Sequence, residues 1–234
     1  MTRFGSIILC ATLGSALLAC GSNTISSGTS AGGSNGGGSG GTSTGGSGGT
    51  SAKNALDLVP LDNTVSGWTV DTASSKTGSA QPMVATTKAQ AEGLIDGGAD
   101  PFYKAPFTPQ EFIWQNYLNV TLPAAPQGSS VILYILQMPS ADQASGLYTA
   151  VLKESEYSGQ TGTTNDWQPT SPPLGTESRI ENTNTDWWVN FHQDVFYVEV
   201  FLFPSYGPPP DDAPDDVDLK NEAMRFAQAV ASKI

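Results

Sequence analysis

Apolar and polar positions along residues 53–234 alternate with two different periods, and each period predicts a different element. Ser140 is followed by Ala141, Ala144, Leu147, Tyr148, Val151 and Leu152 at helical spacing, with Gln143 placed as a capping-box partner. A second helix is expected from Asp218, with Leu219, Ala223, Phe226, Ala227, Val230 and Ile234 facing a core. A shorter one runs from Thr87 to about Ile95. Between them lie β-branched and aromatic runs. Phe112 to Leu122 and Val131 to Met138, joined through Pro126-Gln127-Gly128-Ser129, read as a hairpin. Glu177 to Asn182, Asp186 to Phe191 and Val195 to Phe203 read as a meander, with turns near Asn182–Asn184 and His192–Asp194.

In the last of these strands, Phe196, Val198, Val200 and Leu202 share one face. Val195, Tyr197, Glu199, Phe201 and Phe203 share the other. A strand apolar on both faces belongs in the interior of a sheet or beneath a covering element. Runs of strands between helices predict a single α+β domain: an antiparallel β-sheet with helices packed mainly on one face.

The first 52 residues break this pattern and set the expected address. Arg3 precedes an apolar run from Ile7 to Ala19, which is short for a membrane-spanning helix and matches a signal peptide. Leu17-Leu18-Ala19-Cys20 resembles the bacterial lipobox. The resemblance implies removal of residues 1–19, a diacylglycerol on Cys20, and export to the cell envelope, with Gly21 leaning toward the outer membrane. Residues 21–52 are almost wholly Gly, Ser and Thr; they cannot bury enough surface to offset ordering entropy, and read as a disordered tether spanning roughly 30 Å. Cys10 and Cys20 are the two cysteines, so residues 53–234 carry no thiol and no disulfide.

Charge narrows the partners. Residues 53–234 hold all 22 acidic residues against nine basic ones, a net charge of about −13. Nucleic-acid binding draws its affinity from Lys and Arg on phosphates, so no nucleic-acid partner is expected. The expected partners are the membrane, through the N-terminal lipid, and an envelope protein or polymer. No cofactor is indicated.

Chemistry-bearing residues are few. Asp96 and Asp100 flank Gly97-Gly98-Ala99; the pair has the residue type for acid–base or metal work, while the glycines equally suit a helix end, and the structural reading is favoured. Asp211, Asp212, Asp215, Asp216 and Asp218 form an acidic run, but prolines stiffen it and the central glycine of a calcium loop is missing, so a solvated loop is the better reading. His192 is the sole histidine and is expected exposed in a turn; no G-x-S-x-G elbow accompanies it. Trp187 and Trp188 suit an aromatic ligand surface, although adjacent strand residues point to opposite faces and core packing explains most of the five tryptophans.

Four segments together resemble a family of uncharacterised bacterial exported proteins. They are Pro60 to Trp68; Leu94-Ile95-Asp96-Gly97-Gly98-Ala99-Asp100 with Phe102-Tyr103; Ala141 to Tyr148; and Trp187-Trp188 with Phe196-Tyr197-Val198. The second is the most specific, similar to the family's I-[DN]-G-G-A-[ED] stretch. His192-Gln193-Asp194 departs from it where a turn glycine is expected. The resemblance implies one domain and an envelope address, and carries no activity. The sequence therefore favours a non-catalytic binding domain. An envelope hydrolase using Asp96 and Asp100, and a small-ligand or glycan binder with an aromatic cleft, remain the alternatives.

Overall fold

The computed structural model describes residues 53–73, 81–95, 98–119, 128–152, 167–182, 186–204 and 216–234. Cys20, Asp96, Gly97, Asp211, Asp212 and Asp215, with the leader, the tether and the Asn182–Asn184 turn beyond Asn182, lie outside these residues. Eight strands form one antiparallel sheet: β1 (Trp68–Val70), β2 (Met83–Ala85), β3 (Glu111–Asn119), β4 (Ser130–Gln137), β5 (Gln168–Pro169), β6 (Glu177–Asn182), β7 (Trp187–Gln193) and β8 (Phe196–Phe203). Helices are α1 (Lys88–Leu94), α2 (Asp100–Tyr103), α3 (Ala141–Val151) and α4 (Asp216–Ala231), with a 3-10 turn at Ala55–Leu58. This is the expected α+β domain.

The sheet runs β1-β3-β4-β8-β7-β6-β5, with β2 also paired to β3. β8 is its middle strand, as its two apolar faces require. β1 takes Tyr117–Asn119 of β3, and β2 takes Phe112–Trp114 of the same strand. Two short strands thus share one edge, leaving a gap beside Gln115 and Asn116. Asp71 spans part of it, donating its backbone N–H to the Asn116 carbonyl and accepting from the Asn116 carboxamide at 3.0 Å.

The helices divide between the two faces, a correction to the expectation that they lie mainly on one. Alternation along β3 sends Ile113 and Tyr117 to one side, where they join Val198, Val200, Phe226 and Val230 beneath α4. Phe112 and Trp114 go to the other side and join Leu136, Tyr197, Phe102 and Leu147 beneath α1, α2 and α3. Both faces of the inner strands are apolar enough to need a cover, so the chain supplies one to each.

Local signals at the helices work as read, with small differences. Thr87 and Ser140 accept N–H bonds from Gln90 and Gln143 as N-caps. The capping box at Ser140 is half made, because the Gln143 side chain accepts from Thr108 N instead of returning to Ser140. α4 begins two residues earlier than expected, at Asp216. Under it, Phe226 meets Trp68 edge-on at 5.3 Å and Tyr117 at 4.9 Å. One polar tie crosses this core: the Trp68 indole donates to buried Glu222 at 2.9 Å, and Arg225 neutralises that carboxylate at 2.7 Å while reaching the Ser66 carbonyl.

The β7–β8 turn corrects a second expectation. It is the two-residue turn Asp194-Val195, with Asp194 at φ 51°, a left-handed conformation that a short polar side chain tolerates. The strand therefore runs on through His192 and Gln193. His192 pairs with Tyr197 and is only 4 % exposed, rather than open to solvent. Gly175, at φ +56°, packs against this strand end: a Cβ there would come within 2.5 Å of the His192 carbonyl. The close approach lets Thr176 N donate to that same carbonyl at 2.8 Å.

Candidate functional site

Among the described residues, those singled out by sequence do not assemble into one site. Asp100 opens α2 with an exposed carboxylate bonded to Lys88, which also holds Glu92 at 3.3 Å. The two carboxylates raise the Lys88 pKa through these hydrogen bonds. Asp216 and Asp218 sit in the first turn of α4, where acidic residues favour the helix N-terminus, and Asp218 is exposed. Trp187 and Trp188 point to opposite faces, as strand geometry requires. Trp187 packs at the edge of the core under α4, with Lys220 5.8 Å above its ring; Trp188 packs edge-on against Phe201 at 5.0 Å. They form no common platform. Among the described residues, no three His, Cys, Asp or Glu side chains gather as a metal site, and no helix is long and apolar enough to cross a membrane.

Two arrangements lie elsewhere. The first is a polar row under α3. Strand register aligns Tyr134, Glu199, Asn190 and Arg179 across β4, β8, β7 and β6, with Tyr197, His192 and Glu177 in the next row. Glu199 is fully buried and accepts from the Tyr197 hydroxyl, while Asn190 donates to that hydroxyl at 3.2 Å. Burial, reinforced by Glu199, pushes the Tyr197 pKa well above its usual range, so the phenol stays a donor. Arg179 is 5 % exposed, with its guanidinium 3.9 Å over the Tyr148 ring and 5.1 Å from Trp167; its Nε and Nη2 have no hydrogen-bond partner. His192 stacks obliquely on Tyr148 at 5.1 Å and stands 3.8 Å from Glu177. Burial lowers its pKa; Glu177 pulls the other way and Arg179 adds to the lowering.

The second arrangement is a cleft of about 380 Å³ on the α4 side of the sheet's β1–β2 edge. Leu56, Val59, Leu61, Val70 and Pro82 wall it, and Asp62, Gln81 and Gln115 contribute polar groups. Register explains its floor. The cross-sheet row Ile180–Val189–Val200–Leu133 is apolar throughout and ends on Gln115 at the edge strand. The Gln115 side chain donates from Nε2 to the Asn116 carbonyl at 3.1 Å, which fixes the orientation of the amide. Its Oε1 is buried without a partner, and the residue is 2 % exposed. At the rim, Asp62 Oδ1 accepts from Val70 N at 2.9 Å and Oδ2 from the Asn63 amide at 3.1 Å, leaving one lone pair on each oxygen. Leu56 and Leu61 are 45 % and 75 % exposed, so two large apolar groups face solvent at the cleft wall.

Neither arrangement was singled out from sequence. The signals were present as polar residues interrupting apolar strands: Gln115-Asn116 inside β3, Glu199 inside β8, and Arg179 beside Ile180. Compared with known proteins, the chain matches no family model and no curated protein.

Proposed function

We propose that this chain is an envelope lipoprotein, held by acylated Cys20, whose domain works by binding, and that its ligand site is the cleft between the 3-10 turn and the β3 edge. The observation that carries the reading is the buried, unpartnered Gln115 Oε1 in a cleft walled mainly by apolar side chains. A buried acceptor without a donor costs roughly 1–3 kcal/mol, a cost that a ligand N–H or O–H removes. The volume falls in the range of small-molecule sites, and a few polar groups in an apolar wall are their usual composition. The lipobox resemblance and the Gly/Ser/Thr tether support the address. The alternative of a hydrolase built on Asp96 and Asp100 gains nothing from Asp100, which is bonded to Lys88 at the surface.

Two experiments test the two halves. Palmitate labelling of cells expressing the chain should mark it, and Cys20→Ala should abolish the mark; retained label in that variant refutes the anchor. A fragment screen by thermal shift on the Cys20→Ala chain should yield hits that Leu61→Asp removes. Hits indifferent to Leu61→Asp, or no hits at all, refute the cleft as the ligand site.

A further inference from the structure

Resting on the cleft as the ligand site, we infer that it selects an apolar molecule bearing a primary ammonium group. The lining contains no Lys, Arg or His. Its buried polar group lacking a partner, Gln115 Oε1, is an acceptor. Its one charged group, the Asp62 carboxylate, keeps a lone pair on each oxygen after its two recorded bonds. The Lys233 ammonium, which reaches the carbonyl of the lining residue Val59, is committed to that oxygen and to the Asp57 carbonyl. A carboxylate or phosphate entering this cleft would face a like charge and a second acceptor, with no cation in the lining to offset its desolvation. An alcohol satisfies Gln115 but leaves the Asp62 charge unused. An ammonium has three donors and no acceptor, and so suits two acceptors flanked by Leu56, Leu61 and Val70. The net charge of about −13 draws a cation toward the domain at longer range.

The test uses the full chain carrying Cys20→Ala and isothermal titration at pH 7 with three probes that share one six-carbon tail: hexylamine, hexan-1-ol and hexanoate. Methylamine serves as the tail-less control. Hexylamine is expected to bind at least about tenfold more tightly than hexan-1-ol, as a charge-assisted hydrogen bond provides, with hexanoate weakest. Asp62→Asn, which keeps an acceptor for Val70 N, should lower hexylamine affinity by about tenfold and leave hexan-1-ol unchanged. Gln115→Leu should weaken both. Should Gln115→Leu fail to fold, the Asp62→Asn comparison still decides, because Asp62 is exposed. Equal binding of hexylamine and hexanoate overturns the ammonium preference while leaving the cleft a ligand site. Methylamine binding as tightly as hexylamine reduces the effect to adsorption on an acidic surface and overturns it too. No binding by any six-carbon probe overturns the inference and the ligand-site reading together.

Discussion

The two faces of the sheet are built from the same strands and are opposites in chemistry. Toward α4, the cross-strand rows Ile113–Ile135–Val198–Phe191 and Leu133–Val200–Val189–Ile180 are continuous hydrocarbon, flanked by the Trp68–Glu222–Arg225 tie and by the bond from the Tyr117 hydroxyl to the Pro60 carbonyl. Toward α3, the rows carry Tyr134, Glu199, Asn190 and Arg179, then Tyr197, His192 and Glu177. One face is packed for stability. The other buries polar and ionisable side chains whose polar atoms are incompletely paired, among them Arg179 Nε and Nη2, Asn190 Oδ1 and His192 Nε2. Buried polar atoms without hydrogen-bond partners are a burden on stability, and burial of apolar area is what offsets it. The α4 face therefore carries most of the folding free energy, and the α3 face draws on it.

The contrast breaks first at Phe226. Phe226→Ala removes a fully buried ring held between Trp68 and Tyr117 and should cost about 3–5 kcal/mol, read as a lower urea midpoint at unchanged slope. A cost under about 1 kcal/mol would mean that α4 is not the main cover.

A pH titration sharpens the contrast next. Because burial holds the folded His192 pKa below its usual value of about 6.5, the unfolded chain takes up the proton first as pH falls. The stability contributed by neutral His192 is complete above about 6.5 and is lost as pH drops through the lowered folded value. Urea midpoints should decline from pH 7.5 to 5.5, a window above the usual carboxylate range in which this sole histidine titrates. His192→Gln should flatten the decline; an unchanged slope in that variant would place its origin elsewhere.

The smallest effect is expected at Arg179. Arg179→Met keeps an apolar stem beneath Tyr148 and Trp167 and removes a buried charge with two unpartnered donors. The two changes nearly cancel, so stability should move by less than about 1 kcal/mol in either direction. A loss above about 3 kcal/mol would show that the guanidinium is paired more strongly than its geometry indicates.

Long, strongly periodic segments were legible without coordinates. The face of α4 from Leu219 to Val230, the Ser140 cap and the central position of β8 all follow from side-chain spacing alone. Three-residue strands were not, because β1 and β2 carry no period of their own and are strands only through the open edge of β3. His192 was misplaced for a similar reason: β7 runs two residues beyond Phe191 before the turn at Asp194-Val195, so a position read as an exposed turn lies on a covered strand face. The distribution of helices over two faces was not legible, because an apolar strand face shows that a cover is needed without saying which helix supplies it. The cleft was the least legible feature, since its walls come from residues 56–62, 70 and 81–82 and its floor from Gln115, which only the folded chain brings together.

Lys53 ties the beginning of the domain to its end. Its ammonium is bonded to the Lys233 carbonyl and, at 3.1 Å, to that of Ile234, while Ala55 N is held by Gln137 at the end of β4. The capping box between Asn54 and Asp57 locks the turn in between. Tension arriving along the chain from residue 52 thus meets these fastenings before it reaches β1, the three-residue strand at the sheet edge. A pull at Lys53 is thereby shared with the C-terminal residues and an interior strand before it reaches the cleft walls at Leu56 and Leu61.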